Sequence, residues 1–358
     1  MDYKKQATRK IKAKLARTGL EALLVSGPFN VRYLTGWHSS GILLLVRKKG
    51  QPILIVDSMN KTLAEDKLKG LDLDITTASR SILQRLAEYL RSEKIKKVGF
   101  SGEDLSVSNF NRLTRLAPGV RFIEKAKSLE VSSILKDLRK IKNPREIKIL
   151  KKAARETVSI WKSIKRNIVA GLSEKKIASM VDGLVRSKGY ENSFPTIVAI
   201  GENTARPHAI PTDRCLRDGE HVLVDFGIRY KGYCSDLTRV YYNGRISGQI
   251  EDFRRIVQKV CKFAIGGIKP GIKVSTLVSK SETFFDDGDA GEYVLHGLGH
   301  GLGLEIHEMP SLNKKSPGRF AEGMVITIEP GLYKEGLGGI REENMVLVTK
   351  KGCEVLTK

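Results

Sequence analysis

Residues 221–239 read His221-Val222-Leu223-Val224-Asp225-Phe226-Gly227-Ile228-Arg229-Tyr230-Lys231-Gly232-Tyr233-Cys234-Ser235-Asp236-Leu237-Thr238-Arg239. Two apolar runs each carry one aspartate, and glycines punctuate the link between them. Such runs predict strands. A carboxylate buried in a strand is costly unless it is paired, hydrogen-bonded or bound to metal. The same pattern recurs where Glu329 ends Val325-Ile326-Thr327-Ile328 and where Glu343 follows Gly339-Ile340-Arg341-Glu342. Five of the six histidines, His208, His221, His296, His300 and His307, fall in this half of the chain. Taken singly, Asp225 can cap a turn before Gly227, and Glu329 can pair with an arginine. Four such acids beside a histidine cluster point instead to a metal centre. Carboxylates with an imidazole suit manganese, cobalt or zinc, and a bridging carboxylate holds two ions about 3.5–4 Å apart. The chemistry implied is metal-assisted hydrolysis of an amide or related bond.

Outward from this core, helical patterns at 144–168, 173–188, 248–267 and 274–285 surround strand-like segments at 196–200, 221–227, 237–242, 325–329 and 345–349. Strands grouped apart from helices predict an α+β domain. Asn143-Pro144 marks a helix start, with asparagine as cap and proline in the first turn. Residues 1–130 instead alternate helices with strands near 22–25, 42–46, 53–56, 97–100 and 120–123, which predicts an α/β domain. A basic helical stretch over 131–143 links the two.

The chain has 358 residues, 41% hydrophobic and 29% charged, in the range of globular proteins. At about 100–200 residues per domain this fits two domains. No apolar run approaches the roughly 18 residues of a membrane span. The charged N-terminus lacks a signal-peptide core, so a cytoplasmic location is expected. Cys215, Cys234, Cys261 and Cys353 form no C-x-x-C pair, which argues against a disulfide framework or structural zinc. Residues 1–180 hold 39 Lys and Arg against 17 Asp and Glu, and residues 181–358 hold 24 against 23. The surplus lies in helix-like stretches without interleaved aromatics. It reads as a solvated face, not as a specific nucleic-acid site.

The strings His221–Gly227, Gly232–Arg239, His296–Glu308, Thr327–Tyr333 and Gly339–Asn344 resemble, in order, the five signatures of the pita-bread metallopeptidases. That superfamily includes Xaa-Pro dipeptidases (prolidases), aminopeptidase P, methionine aminopeptidases and creatinase. Asn30-Val31-Arg32-Tyr33-Leu34-Thr35-Gly36 resembles the turn of the creatinase-type N-terminal domain. The resemblance implies an α/β creatinase-like domain over 1–130 and an α+β pita-bread catalytic domain over 144–358. It implies Asp225, Asp236, His300, Glu329 and Glu343 as ligands of two divalent ions, most readily manganese or cobalt, with zinc or iron as alternatives. Glu329 would also be the general base. His208 and His307 would be the catalytic histidines, and His296, Arg341 and Tyr333 would bind substrate. The implied activity is hydrolysis of Xaa-Pro bonds in dipeptides or short peptides, by a homodimer. Aminopeptidase P action on longer peptides and a non-catalytic binding protein are the alternatives. The N-terminal domain argues against methionine aminopeptidase, and five intact ligand positions argue against creatinase and the silent module. One departure is Arg341-Glu342-Glu343-Asn344, where an apolar residue is usual at 342. Strand alternation turns only one of the two glutamates inward.

Overall fold

Six strands of the first 139 residues line up in one mixed sheet: β1 (Ala22–Val25), β2 (Ile42–Arg47), β3 (Ile53–Asp57), β4 (Asp74–Ala78), β5 (Lys97–Gly99) and β6 (Arg121–Ile123), in the order β4-β3-β2-β1-β5-β6. This computed structural model describes residues 3–127, 129–286 and 290–358, and the chain divides into the units Met1–Arg139 and Lys140–Lys358. Alternation along the central strands explains their unbroken apolar character. Leu23, Val25, Leu44, Val46, Leu54 and Val56 enter one core, while Ala22, Leu24, Leu43, Leu45, Ile53 and Ile55 enter another. The helix Tyr3–Thr18 contributes Ile11 and Leu15 to the first core, and the helix Ile82–Ser92 contributes Leu83, Leu86 and Leu90 to the second. A sheet covered on both faces leaves no polar side, which is why these strands do not alternate apolar with polar. The helix Ser133–Lys140, in the stretch expected to act as a link, buries Ile134 and Leu135 in the first unit's core.

In the second unit, β7 (Ile197–Ile200), β8 (His221–Phe226) and β9 (Leu237–Tyr242) form an antiparallel sheet with β8 in the centre. A five-stranded sheet runs β11-β10-β12-β15-β16, with β10 (Gly299–Gly301), β11 (Glu308–Leu312), β12 (Val325–Ile328), β15 (Asn344–Val348) and β16 (Cys353–Val355). The hairpin β13 (Gly331–Lys334) and β14 (Gly338–Arg341) stands beside them. The helices Pro144–Lys165 and Glu174–Ser187 pack on β7 and β8 through Ile160, Trp161, Ile177 and Val181. The helices Gly248–Gly267 and Val274–Asp286 cover β12 and β15 through Val257, Val260 and Leu277. The first of the four begins as the sequence predicts: Asn143 and Glu146 form a reciprocal capping box, and Pro144 occupies the first turn. The four cysteines are free thiols.

Candidate metal centre

The five expected ligands come from five separate segments. Asp225 lies near the end of β8, Asp236 just before β9, and His300 in the middle of β10. Glu329 directly follows β12, and Glu343 sits between β14 and β15. Antiparallel pairing of β8 with β9 sets Asp225 opposite Thr238, and pairing of β12 with β15 sets Ile328, which precedes Glu329, opposite Asn344, which follows Glu343. The glycines around His300 serve close packing. At Gly299 a Cβ would fall 2.2 Å from the Thr327 carbonyl oxygen, so only glycine lets β10 approach β12 there.

Asp236, His300 and Glu343 bring ligand atoms within 4.8 Å of one another. His300 Nε2 lies 3.6 Å from Asp236 Oδ2 and 3.5 Å from Glu329 Oε1. Its Nδ1 is 3.0 Å from the Gly301 carbonyl, which can only accept, so Nδ1 carries the proton and Nε2 offers its lone pair to the acids. Burial pushes the His300 imidazole down to about 4, which keeps it in the neutral, ligating form.

The carboxylates are crowded. Burial pushes Glu329 up to about 7. It raises Asp225 against the opposing pull of Arg341. Asp236 and Glu343 are driven well above the ordinary range by burial and then by their acidic neighbours. Four carboxyls share one guanidinium, so the metal-free cluster is short of positive charge. Two oxygens, Asp225 Oδ1 and Glu343 Oε1, are buried without a hydrogen-bond partner among the described residues. Unpaired buried carboxylate oxygens are rare in folded proteins. Hard oxygens and one imidazole nitrogen, short of positive charge, fit divalent cations.

Most of the remaining candidates surround these acids. His208, His296, His307 and Arg341 line, with the four acids and His300, a cavity of about 570 Å³. The rings of His300 and His307 meet edge to face with centroids 4.4 Å apart. Arg341, expected to orient a ligand carboxylate, commits four of its five N–H groups within the protein. It donates to Asp225 Oδ2 at 2.7 Å, the Tyr333 hydroxyl at 2.8 Å, Thr238 Oγ1 at 3.1 Å and the Pro207 carbonyl at 3.4 Å. Tyr333 is not among the residues lining the cavity; it stands buried behind the wall. Its hydroxyl accepts from Arg341, so its single proton goes to His296 Nε2 at 2.7 Å. His296 Nδ1 in turn donates to the Gly297 carbonyl at 2.8 Å. Both His296 nitrogens are thereby spent, and it meets the cavity as a ring rather than as a donor. His221 lies outside this group, bonded to Thr204 and the Gly339 carbonyl within the fold.

Glu342 points away from the cluster, and its charge is felt at Arg239, Tyr242 and Cys261. Sequence reading missed Thr238, which donates to Glu343 Oε2 at 2.9 Å, and Thr327, whose hydroxyl accepts from the His300 amide at 3.0 Å. It also missed the apolar wall of Phe194, Pro195, Ile197, Ile210, Pro211 and Ile306. A signal for the threonines existed: Asp236 with Thr238, Thr327 with Glu329 and Arg341 with Glu343 are spaced by two, the same-face period of a strand.

Residues 148–350 match metallopeptidase family M24, and residues 8–141 match the creatinase/prolidase N-terminal domain. An uncharacterised peptidase of Bacillus subtilis is 31% identical, covering 97% of this chain and 96% of its own length. An Xaa-Pro dipeptidase of Pyrococcus horikoshii is 30% identical over 100% of this chain and 98% of its own. Among solved structures, an Xaa-Pro dipeptidase from Bacillus anthracis superposes with a TM-score of 0.93 at 30% identity, covering 99% and 98% of the two chains. An X-Pro aminopeptidase from Thermotoga maritima gives 0.85 at 30% identity, covering 95% and 96%. The family is one of divalent-metal hydrolases, which agrees with the uncompensated acid cluster. With all five expected ligands inside the matched stretch, this chain belongs to metallopeptidase family M24.

Proposed function

We propose that the protein is a prolidase-like dinuclear metallopeptidase that hydrolyses Xaa-Pro bonds in dipeptides or short peptides. The observation that carries this reading is the acid cluster with two buried, unpartnered carboxylate oxygens at the base of a cavity lined by His208 and His307. Asp225, Asp236, His300, Glu329 and Glu343 would hold two ions, manganese or cobalt by preference. When bound, the ions would supply Lewis acidity toward a water and a carbonyl.

The protein groups do the rest. Glu329 accepts a proton from the attacking water. An Xaa-Pro bond has no N–H and carries a ring on its nitrogen, so it must be held by its carbonyl and by apolar contact. His208 and His307 donate toward the developing oxyanion and the leaving proline nitrogen. Ring surfaces of His296, Phe194 and Pro195 and the side chain of Ile306 suit the pyrrolidine and an apolar Xaa, and the cavity volume suits a dipeptide. The protein would act as a cytoplasmic homodimer of about 80 kDa, twice the 39.8 kDa chain. It would show only salt-sensitive, sequence-indifferent attraction to nucleic acid through the basic surplus of its first half.

A panel of Xaa-Pro dipeptides, Xaa-Pro-Yaa tripeptides and proline-free dipeptides, assayed after chelation and re-addition of manganese or cobalt, tests the reading. The expected result is metal-dependent cleavage of Xaa-Pro dipeptides. Preference for tripeptides would favour aminopeptidase P, and preference for proline-free dipeptides would overturn the reading.

A further inference from the structure

Lys142 is buried far more deeply than lysines usually are. Its side chain is 1% exposed, and its Nζ lies 3.2 Å from Glu308 Oε2, on a side chain 5% exposed. A lysine inside a protein is costly unless its partner is well placed. Lys142 is itself fixed. Its amide donates to the Gly323 carbonyl at 2.8 Å, and the capped helix Pro144–Lys165 begins two residues later.

Glu308 anchors the loop before β11. Its Oε1 accepts from the Glu305 amide at 3.2 Å, and a Cβ on Gly303 would fall 2.7 Å from Oε2, so the loop backbone lies directly on the carboxylate. The Gly303 amide donates to the Glu305 carbonyl at 3.0 Å, closing the turn. His307 sits on this loop next to Glu308. His307 lines the cavity, whereas Lys142 and Glu308 do not. The carboxylate and the imidazole of neighbouring residues therefore serve different sides of one loop.

We propose that the Lys142–Glu308 pair is a positioning device for His307, holding the 303–308 loop so that the imidazole is presented to the scissile bond; this rests on the role given to His307 above. A misplacement of about 1 Å by a change away from the chemistry can cost about a hundredfold in rate.

The test is a double-mutant cycle with Ala-Pro as substrate and the manganese-loaded protein. Lys142→Met is expected to lower kcat by about 10- to 100-fold, with KM and bound manganese little changed. In a His307→Ala background the same substitution should change kcat less than about twofold, because the group being positioned is gone. Lys142→Arg, which keeps the charge, should restore most of kcat. An equal loss in both backgrounds would show a general scaffold role and overturn the proposal, as would no loss in the parent. A fully active His307→Ala protein would also overturn it, through the role of His307 and not through Lys142. Should Lys142→Met not fold, Glu308→Gln, which keeps the acceptor for Glu305 but removes the charge, runs through the same two backgrounds with the same expected pattern.

Discussion

Substituting Arg341 by methionine should destabilise the metal-free protein severely and the metal-loaded protein much less. The Arg341 side chain is 4% exposed and that of Asp225 is 12% exposed, with Nη2 2.7 Å from Oδ2. Methionine fills much of the arginine's volume but leaves Asp225 buried without a partner, its other oxygen already lacking one. Breaking a buried pair on one side costs about 3–5 kcal/mol. For a unit running from Lys140 to Lys358, about 2–4 °C is lost per kcal/mol, so the melting temperature should fall by roughly 6–20 °C. Bound cations would supply the missing positive charge beside Asp225, so saturating manganese should recover much of the loss. The double variant Asp225→Asn with Arg341→Met should melt above the single variant, because no charge is then stranded. Differential scanning calorimetry of the chelated and manganese-loaded proteins measures both effects. A metal-free Arg341→Met protein melting within about 2 °C of the parent would show that the guanidinium is not the counter-charge for the cluster.

Three further outcomes are expected. In the metal-free protein Glu329 is pushed up to about 7 from an ordinary value of 4.5, chiefly by burial, so the folded chain keeps a proton that the unfolded chain has released. Stability should therefore fall as pH rises from about 4.5 to 7, by about 3 kcal/mol from this group, with Asp236 and Glu343 acting in the same direction; equal urea midpoints at pH 5 and 7.5 would contradict this. Asp236→Asn and His300→Ala should each lose bound metal in elemental analysis, and two ions retained in either would mean the ligands lie elsewhere. His208→Ala and His307→Ala should keep their metal but lose about 10²–10⁴-fold in Ala-Pro hydrolysis, and near-parent rates in both would remove them from the mechanism.

The segments of the candidate metal centre were legible because an acid in an apolar strand is a local anomaly. Asp225 and Glu329 stand out within a few residues of sequence, and the helix start at Asn143-Pro144 is equally local. Less was legible where structure depends on distant partners. β4 (Asp74–Ala78) and β11 (Glu308–Leu312) have weak strand character of their own and form by pairing with β3 and β10. β10 is a glycine-flanked histidine, a poor strand former that is recruited between β11 and β12. Tyr333 was expected at the substrate, but the hairpin β13–β14 turns its hydroxyl toward Arg341 and His296 behind the wall. Lys142 and Glu308 lie 166 residues apart, and nothing in either's neighbourhood announces the other.

The hydrogen-bond series from Arg341 through Tyr333 and His296 to the Gly297 carbonyl runs in one direction only. Arginine has no proton to spare near neutral pH, burial pushes the tyrosine up to about 12, and burial lowers the affinity of His296 for a second proton. Each member is locked in one protonation state, so this stretch of wall is electrically fixed and proton-silent during turnover. It holds the guanidinium of Arg341 against Asp225, and in the proposed mechanism proton traffic would fall to Glu329, His208 and His307. Changes to the silent wall should alter how substrates fit, whereas changes to the other three should alter how the rate responds to pH.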